Sequence, residues 1–300
     1  MDGIKCILFS LTLFVISAPQ RCLAWGDEGH MIVAAVAERY LEPNVRDQVN
    51  TLLSEDDDAL TQGDFASRAT WADKYRDSDR NTTKQRYNAT EQWHFVDVEV
   101  DDPDIDAACF NHPAVPPQTV ASKGPPKDCV VDKINQFKAE LSGAATTTAE
   151  KFLALKFILH FVGDVHQPLH SADDHDRGGN EKFVIFGRRT TCMPLHSYWD
   201  TTLVQRLGRN FDQVGASLAN TFGSKRSTWM TGQPGDWAKE SFSSAKDVAY
   251  NLPSTVPDER GRQCYEMTPQ YDDQALETVR EQLAKAGMRL AMTLNQALGR

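Results

Sequence analysis

The stretch from Lys151 to His170, KFLALKFILHFVGDVHQPLH, places metal-type ligands inside an apolar helical run. His160 and Asp164 are four residues apart and share a helix face. His166 and His170 follow, with Pro168 expected to end or kink the helix between them. The first half of the run is apolar almost all round, as in a helix buried on most faces. A carboxylate and an imidazole there need partners, because burying either alone is costly. A single ion pair would satisfy one His and one Asp. Three histidines and an aspartate within eleven residues point instead to nitrogen and oxygen ligands converging on a metal ion. His196 and Asp200 repeat the same spacing at the start of another expected helix, which strengthens the metal reading.

Two ligands do not complete a site, so other elements must supply and position the rest. Trp25-Gly26-Asp27-Glu28-Gly29-His30 leads into a helix expected over about His30 to Leu41 and stopped near Pro43. If processing frees the Trp25 α-amine, that amine, its carbonyl and His30 could chelate a metal; a first-turn His beside a packed indole is the plainer reading. A second helix, Val45 to Leu53, gives way to Glu55-Asp56-Asp57-Asp58, read as a solvated turn. The next helix carries Phe65 to Arg76, with Asp73 and Arg76 on one face as a surface ion pair. Trp93 to Glu99 alternates as an extended segment, His94, Val96 and Val98 facing one way and Phe95, Asp97 and Glu99 the other. A phenylalanine beside two carboxylates makes an odd core but a reasonable wall for a nucleobase.

Ser171 to Asn180 is a polar loop ending Arg177-Gly178-Gly179-Asn180, whose glycines permit either a tight turn beside a ligand or an ordinary hairpin connection. Lys182 to Phe186 and Thr190 to Met193 read as a short β-hairpin around Gly187-Arg188-Arg189. The remainder is expected to be helical, with Trp237 to Ser241 in one helix and a long amphipathic one over about Asp273 to Leu298. Leu276, Val279, Leu283, Leu290 and Leu294 lie at core spacing in that last helix, which reads as packing only.

Composition bounds the rest. Hydrophobic residues make up 40% of the chain, ample for a buried core, and no Gly/Ser-rich or Pro-rich linker divides it. Residues 1–24 have the form of a secretory signal: Lys5, an apolar run from Ile7 to Ala18, then Cys22-Leu23-Ala24 before Trp25. That run is too short to span a bilayer, and no later stretch is long and apolar enough. The formal net charge is −10, and losing Lys5, Arg21 and Asp2 with the leader makes it one unit more negative. So acidic a surface argues against a duplex-DNA binder working through a basic face. It leaves room for a nucleic-acid enzyme whose bound cations supply local positive charge. Cys109, Cys129, Cys192 and Cys264 remain after the leader, an even number suggesting two disulfides in an exported protein. Cys109 and Cys129 bracket a Pro-rich loop and are candidates to pair locally. Asn81-Thr82-Thr83 and Asn88-Ala89-Thr90 are glycosylation acceptors, which would put that segment on the surface.

Taken in order, these pieces resemble the class I zinc-dependent single-strand nucleases and 3′-nucleotidases. The matching elements are Trp25-Gly26-x-x-Gly29-His30, Trp71-Ala72-Asp73-x-x-Arg76 and Trp93-His94-Phe95-x-Asp97. They continue with His160-x-x-x-Asp164-x-His166-Gln167-Pro168-Leu169-His170, Gly178-Gly179-Asn180 and Leu195-His196-x-x-Trp199-Asp200. The departures lie in cysteine number and in the long loop Asp101 to Lys127. The resemblance implies a mainly all-α fold: a single helical domain of the zinc phospholipase C and class I nuclease type, residues 25–300, with a short β-hairpin. It implies a cluster of three zinc ions. One would be held by Asp73, His94, His160 and Asp164, and a second by the amine and carbonyl of Trp25 with His30 and Asp164. The third would take His170, His196 and Asp200; His166 matches a position that is not a ligand.

The implied reaction is hydrolysis of phosphodiester bonds in single-stranded DNA and RNA, and of 3′-nucleotides, leaving 5′-phosphates on the polymer products. Asp73 would orient the attacking water and Arg76 would hold a phosphate oxygen. The third zinc would face the leaving 3′-oxygen. Phe95 would stack a base while Asp97, Asn180 and the backbone at Gly178 bond its edge, which accepts every base but needs it unstacked. The leader implies a secreted or extracytoplasmic protein, cleaved after Ala24 and expected to be monomeric, with no stable protein partner implied. Secreted zinc phospholipases C share the fold, but carry Glu where Asp200 stands and lack the Phe95/Asp97 and Gly178-Gly179-Asn180 pattern. A non-catalytic zinc-binding protein is the alternative from another class; metal analysis paired with a hydrolysis assay separates them.

Overall fold

The computed structural model describes residues 25–110, 116 and 118–299. The expected leader, residues 1–24, lies outside the described residues. The chain is mainly helical, as expected, and its described helices share one hydrophobic core. At the centre is the helix Thr148–Asp164, started by Thr147, whose side chain accepts from the Glu150 N–H. All of its residues from Ala154 to Asp164 are buried. Three helices surround it: Asp27–Glu38, Val130–Ser142 and the long C-terminal Pro269–Leu298. The central helix stops at Asp164, before His166, and Pro168 opens a separate 3-10 turn, Pro168–His170.

Three local expectations need correction. The acidic segment after Leu53 is no solvated turn: Asp56 lies 2.9 Å from the Lys156 ammonium and 3.4 Å from the Arg68 guanidinium, both buried. Two buried cations from neighbouring helices need counter-charges there. Asp73 and Arg76 do pair, at 2.7 Å, but the pair is buried rather than on the surface. The segment after residue 250 is not all helical. Strands β1 (Phe183–Ile185) and β2 (Met193–Pro194) form the expected hairpin, joined by β3 (Thr255–Pro257) and β4 (Gln263–Glu266) in the order β2-β1-β4-β3. β4 runs parallel to β1, and a Cys192–Cys264 disulfide ties the residue before β2 to β4 across β1. A parallel partner some 80 residues away leaves no hairpin signal in sequence. Cys109 and Cys129 form the other disulfide, and Cys129 caps the helix Val130–Ser142.

Candidate metal centre and nucleotide cleft

Each side chain of the centre comes from an element that the core holds rigidly. His160 and Asp164 project from the last turns of the central helix. His94 ends a 3-10 turn, Glu91–His94, and the chain then extends, with the Val96 N–H donating to the His170 carbonyl. Asp73 sits in the first turn of the helix Trp71–Asp77, and Asp200 in a π-helical turn, Tyr198–Leu203. The burial alternation expected for the extended segment is present: Val96 and Val98 are buried, while Phe95 and Asp97 are half-buried.

Six of the residues meet in one knot. Asp164 Oδ2 is 2.9 Å from His94 Nδ1 and 3.3 Å from His160 Nε2. Asp164 Oδ1 is 3.5 Å from His30 Nε2 and 3.7 Å from His170 Nδ1. Asp73 Oδ1 lies 3.5 Å from His94 and 3.6 Å from His160. A second knot joins His196 to Asp200 at 3.1 Å and to His170 at 3.2 Å between Nε2 atoms. All eight side chains are buried. His30 can share a site with Asp73 and His160, and the sets His94/His160/Asp164 and His170/His196/Asp200 each converge.

The histidine tautomers are fixed by the backbone. His160 Nδ1 faces the Ala69 carbonyl at 2.7 Å, His170 Nδ1 the His94 carbonyl at 2.9 Å, and His196 Nδ1 the Gly178 carbonyl at 2.6 Å. A carbonyl only accepts, so each Nδ1 carries the proton and a neutral ring turns an Nε2 lone pair toward the knot. Gln167 donates to Asp200 Oδ1 at 2.6 Å and orients it. His166 is built differently: it spans from the Val162 carbonyl to the Arg289 guanidinium and stays out of both knots. The C-terminal helix therefore carries a buried cation as well as packing surface.

Several buried ligand-type atoms have no hydrogen bond: both His30 nitrogens, His94 Nε2, His160 Nε2, Asp164 Oδ1 and Asp200 Oδ2. Burial raises Asp164 to about 7, against the pull of His160. Burial and cationic neighbours hold His30, His94 and His170 well below the ordinary imidazole value. At His160 and His196 burial works the same way, but the carboxylates outweigh it and raise both. The knots want positive charge between their carboxylates yet cannot protonate every ring. A cation among nitrogen and oxygen donors meets both demands, so the residues fit a zinc-type centre.

Trp25 is buried beside this centre, its indole N–H donating to the Gly163 carbonyl at 2.9 Å. Gly163 is a steric necessity: a Cβ there would stand 2.8 Å from His30 Nδ1. Above the two knots opens a cleft of about 410 Å3. His94, His170 and His196 line it with Arg76, Phe95, Asp97, Gly178 and Asn180, so the expected base-binding residues share one space with the metal-type ligands. Gly178 takes φ +60°, and a Cβ there would meet the Leu169 carbonyl at 2.6 Å. Asp173 accepts from the Gly178 N–H at 3.0 Å and fixes that loop. Burial, reinforced by Asp173 and Glu99, raises Asp97 to about 7. Burial works against the Arg76 charge, but Asp73 and Asp77 hold it above the ordinary guanidinium value. Sequence reasoning missed Arg80, Tyr87, Glu91 and Arg177 in the lining, because none belongs to a spaced motif.

Comparison with known proteins agrees with this geometry. The S1/P1 Nuclease family model matches residues 25–299. Nuclease P1 of Penicillium citrinum is 30% identical over 293 residues, covering 92% of this chain and 98% of its own. Nuclease S1 of Aspergillus oryzae is 27% identical, covering 96% of each. Endonuclease 2 of Arabidopsis thaliana is 26% identical, covering 99% of this chain and 98% of its own. The His and Asp groups suit the zinc dependence of that family. With the match running almost end to end, this chain belongs to the S1/P1 nuclease family.

Proposed function

We propose that the protein is a secreted, zinc-dependent endonuclease that hydrolyses single-stranded DNA and RNA to 5′-phosphate products and also acts on 3′-nucleotides. The observation that carries this reading is the shared cleft: three buried ligand-type histidines, His94, His170 and His196, line it together with a guanidinium, an aromatic ring and hydrogen-bonding groups. Zinc would be held as three ions, by Asp73, His94, His160 and Asp164, by His30 and Asp164 with the Trp25 amine and carbonyl, and by His170, His196 and Asp200. Bound there, zinc supplies Lewis acidity and lowers the pKa of water. Asp73 accepts from the attacking water and orients it. Arg76, kept charged by its carboxylate neighbours, holds a phosphate oxygen as negative charge builds. Phe95 takes an unstacked base on its face, and Asp97, Asn180 and the backbone at Gly178 bond its edge. Such stacking suits any base but not one locked in a duplex. This wall favours a nucleobase over a lipid headgroup. Two disulfides support export, and among the described residues no helix is long and apolar enough to cross a membrane.

The test is hydrolysis of matched single-stranded and duplex oligonucleotides by purified protein, with products end-mapped. Single strands cut to 5′-phosphate ends are expected. Equal cutting of duplex, or 3′-phosphate ends, contradicts the reading.

A further inference from the structure

The nucleotide cleft has a side that the proposed mechanism leaves idle, made by Arg80, Tyr87 and Glu91. It connects directly to the phosphate-binding arginine. Asp77 bonds Arg76 Nε at 3.0 Å and lies 3.9 Å from the Arg80 guanidinium, so one carboxylate sets both cations side by side. Arg80 in turn lies over the Tyr87 ring, 4.9 Å from its centroid. The Tyr87 hydroxyl donates to Glu91 Oε1 at 2.6 Å, three residues before His94. Path and position are built rather than incidental: the Asp79 carboxylate accepts from the Thr83 hydroxyl and from the N–H groups of Arg86 and Tyr87 at 2.8–3.1 Å. That ties the turn after Arg80 to the first residues of the helix Gln85–Thr90.

The residue types suit one more nucleotide. Arg80 keeps 42% of its side-chain exposure, and among the described residues no carboxylate holds it closer than the 3.9 Å of Asp77, so its charge is available to a phosphate. A planar guanidinium over a tyrosine also offers a flat surface on which any base can stack. We propose that Arg80 and Tyr87 form a second nucleotide subsite that receives the phosphate and base on the 3′ side of the bond cleaved, and so favours polynucleotide over mononucleotide substrates. This rests on the assignment of Phe95 and Arg76 to the first base and the scissile phosphate. A nucleoside 3′-monophosphate fills those two places and reaches no farther. A strand cut to a 5′-phosphate must continue past Arg76, and Arg80 and Tyr87 are the cation and ring that continue from it.

The experiment uses the zinc-loaded enzyme and its variants Arg80→Ala, Tyr87→Ala and Tyr87→Phe. KM for oligothymidylate cleavage is compared with the inhibition constant of thymidine 3′-monophosphate as competitor. Arg80→Ala and Tyr87→Ala are expected to raise the oligonucleotide KM about tenfold, the lower range for one stacking contact. The mononucleotide constant should stay at the wild-type value, and Tyr87→Phe, which keeps the ring, should match wild type on both. Arg80→Ala should also flatten the salt dependence of oligonucleotide binding by about 0.7 in the log–log slope, the share of one phosphate contact on a single strand. An unchanged oligonucleotide KM, or equal shifts for both ligands, overturns the subsite. Wild-type enzyme that cleaves no oligonucleotide at all would instead remove the nuclease reading on which it stands.

Discussion

Asp164 reaches three imidazoles within 3.5 Å, and His160, its proton held at Nδ1 by the Ala69 carbonyl, turns only a lone pair toward that carboxylate. A cation between them would suit both groups, and we propose that Asp164 would serve more than one metal ion. The neighbouring cleft makes sharper predictions. Phe95→Ala should weaken single-strand binding by about 1–3 kcal/mol, the usual worth of a base-stacking contact. Metal content should not change, because Phe95 is not among the buried His and Asp groups; kinetics paired with metal analysis check both halves. Asp97 yields a pH prediction. Its folded value, about 7, stands above the ordinary 3.8, so between those limits the native state binds more protons than the unfolded one. Stability from this group is full below the lower value and is lost as pH rises through the upper one. Asp97→Asn should therefore raise Tm at pH 8 and have little effect near pH 4. Metal-free protein is the proper sample, since a nearby cation would favour the carboxylate.

At the scale of elements, the centre depends on how closely helices approach. Replacing an ordinary mid-helix glycine by alanine stabilises a helix by about 0.5–1 kcal/mol. Gly163→Ala should do the reverse, because its Cβ would meet the His30 ring at 2.8 Å. A cost of about 1–3 kcal/mol is expected from such overpacking, along with lower metal occupancy as His30 is displaced. Denaturant unfolding and metal analysis of one sample give both numbers. The N-terminal helix carries a second prediction. One extra residue before Trp25 turns its amine into an amide, which has no lone pair to offer a metal. The indole would keep its bond to Gly163, so lost packing could not explain a defect. The extended form should lose one zinc and most activity; full zinc and full turnover would leave Trp25 as a packed aromatic alone.

Across the whole molecule, what sequence conveyed depended on how local the signal was. His160/Asp164 and His196/Asp200 were legible because i, i+4 spacing fixes their relation before any tertiary structure exists. That the sets would converge was not legible from spacing and came from the resemblance. The long C-terminal helix was expected from its apolar period, though Leu276 is only half-buried and Arg289 adds a buried charge. The acidic segment misled because its partners, Arg68 and Lys156, lie 12 and 100 residues away in sequence. Strands β3 and β4 were missed for the same reason: their place is set by β1 and a distant disulfide. Arg80 and Tyr87 reach the cleft through a turn knotted by Asp79, a long-range arrangement without a motif.

The candidate metal centre joins segments as far apart as His30 and Asp200, so metal binding free energy would also be folding free energy. The most direct measurement is zinc content alongside single-strand cleavage, before chelation, after it, and after zinc is returned. The account predicts three zinc ions per chain in active protein, loss of cleavage and a lower Tm on chelation, and recovery of both with zinc. Full cleavage of single-stranded DNA by protein holding one zinc or none would contradict it.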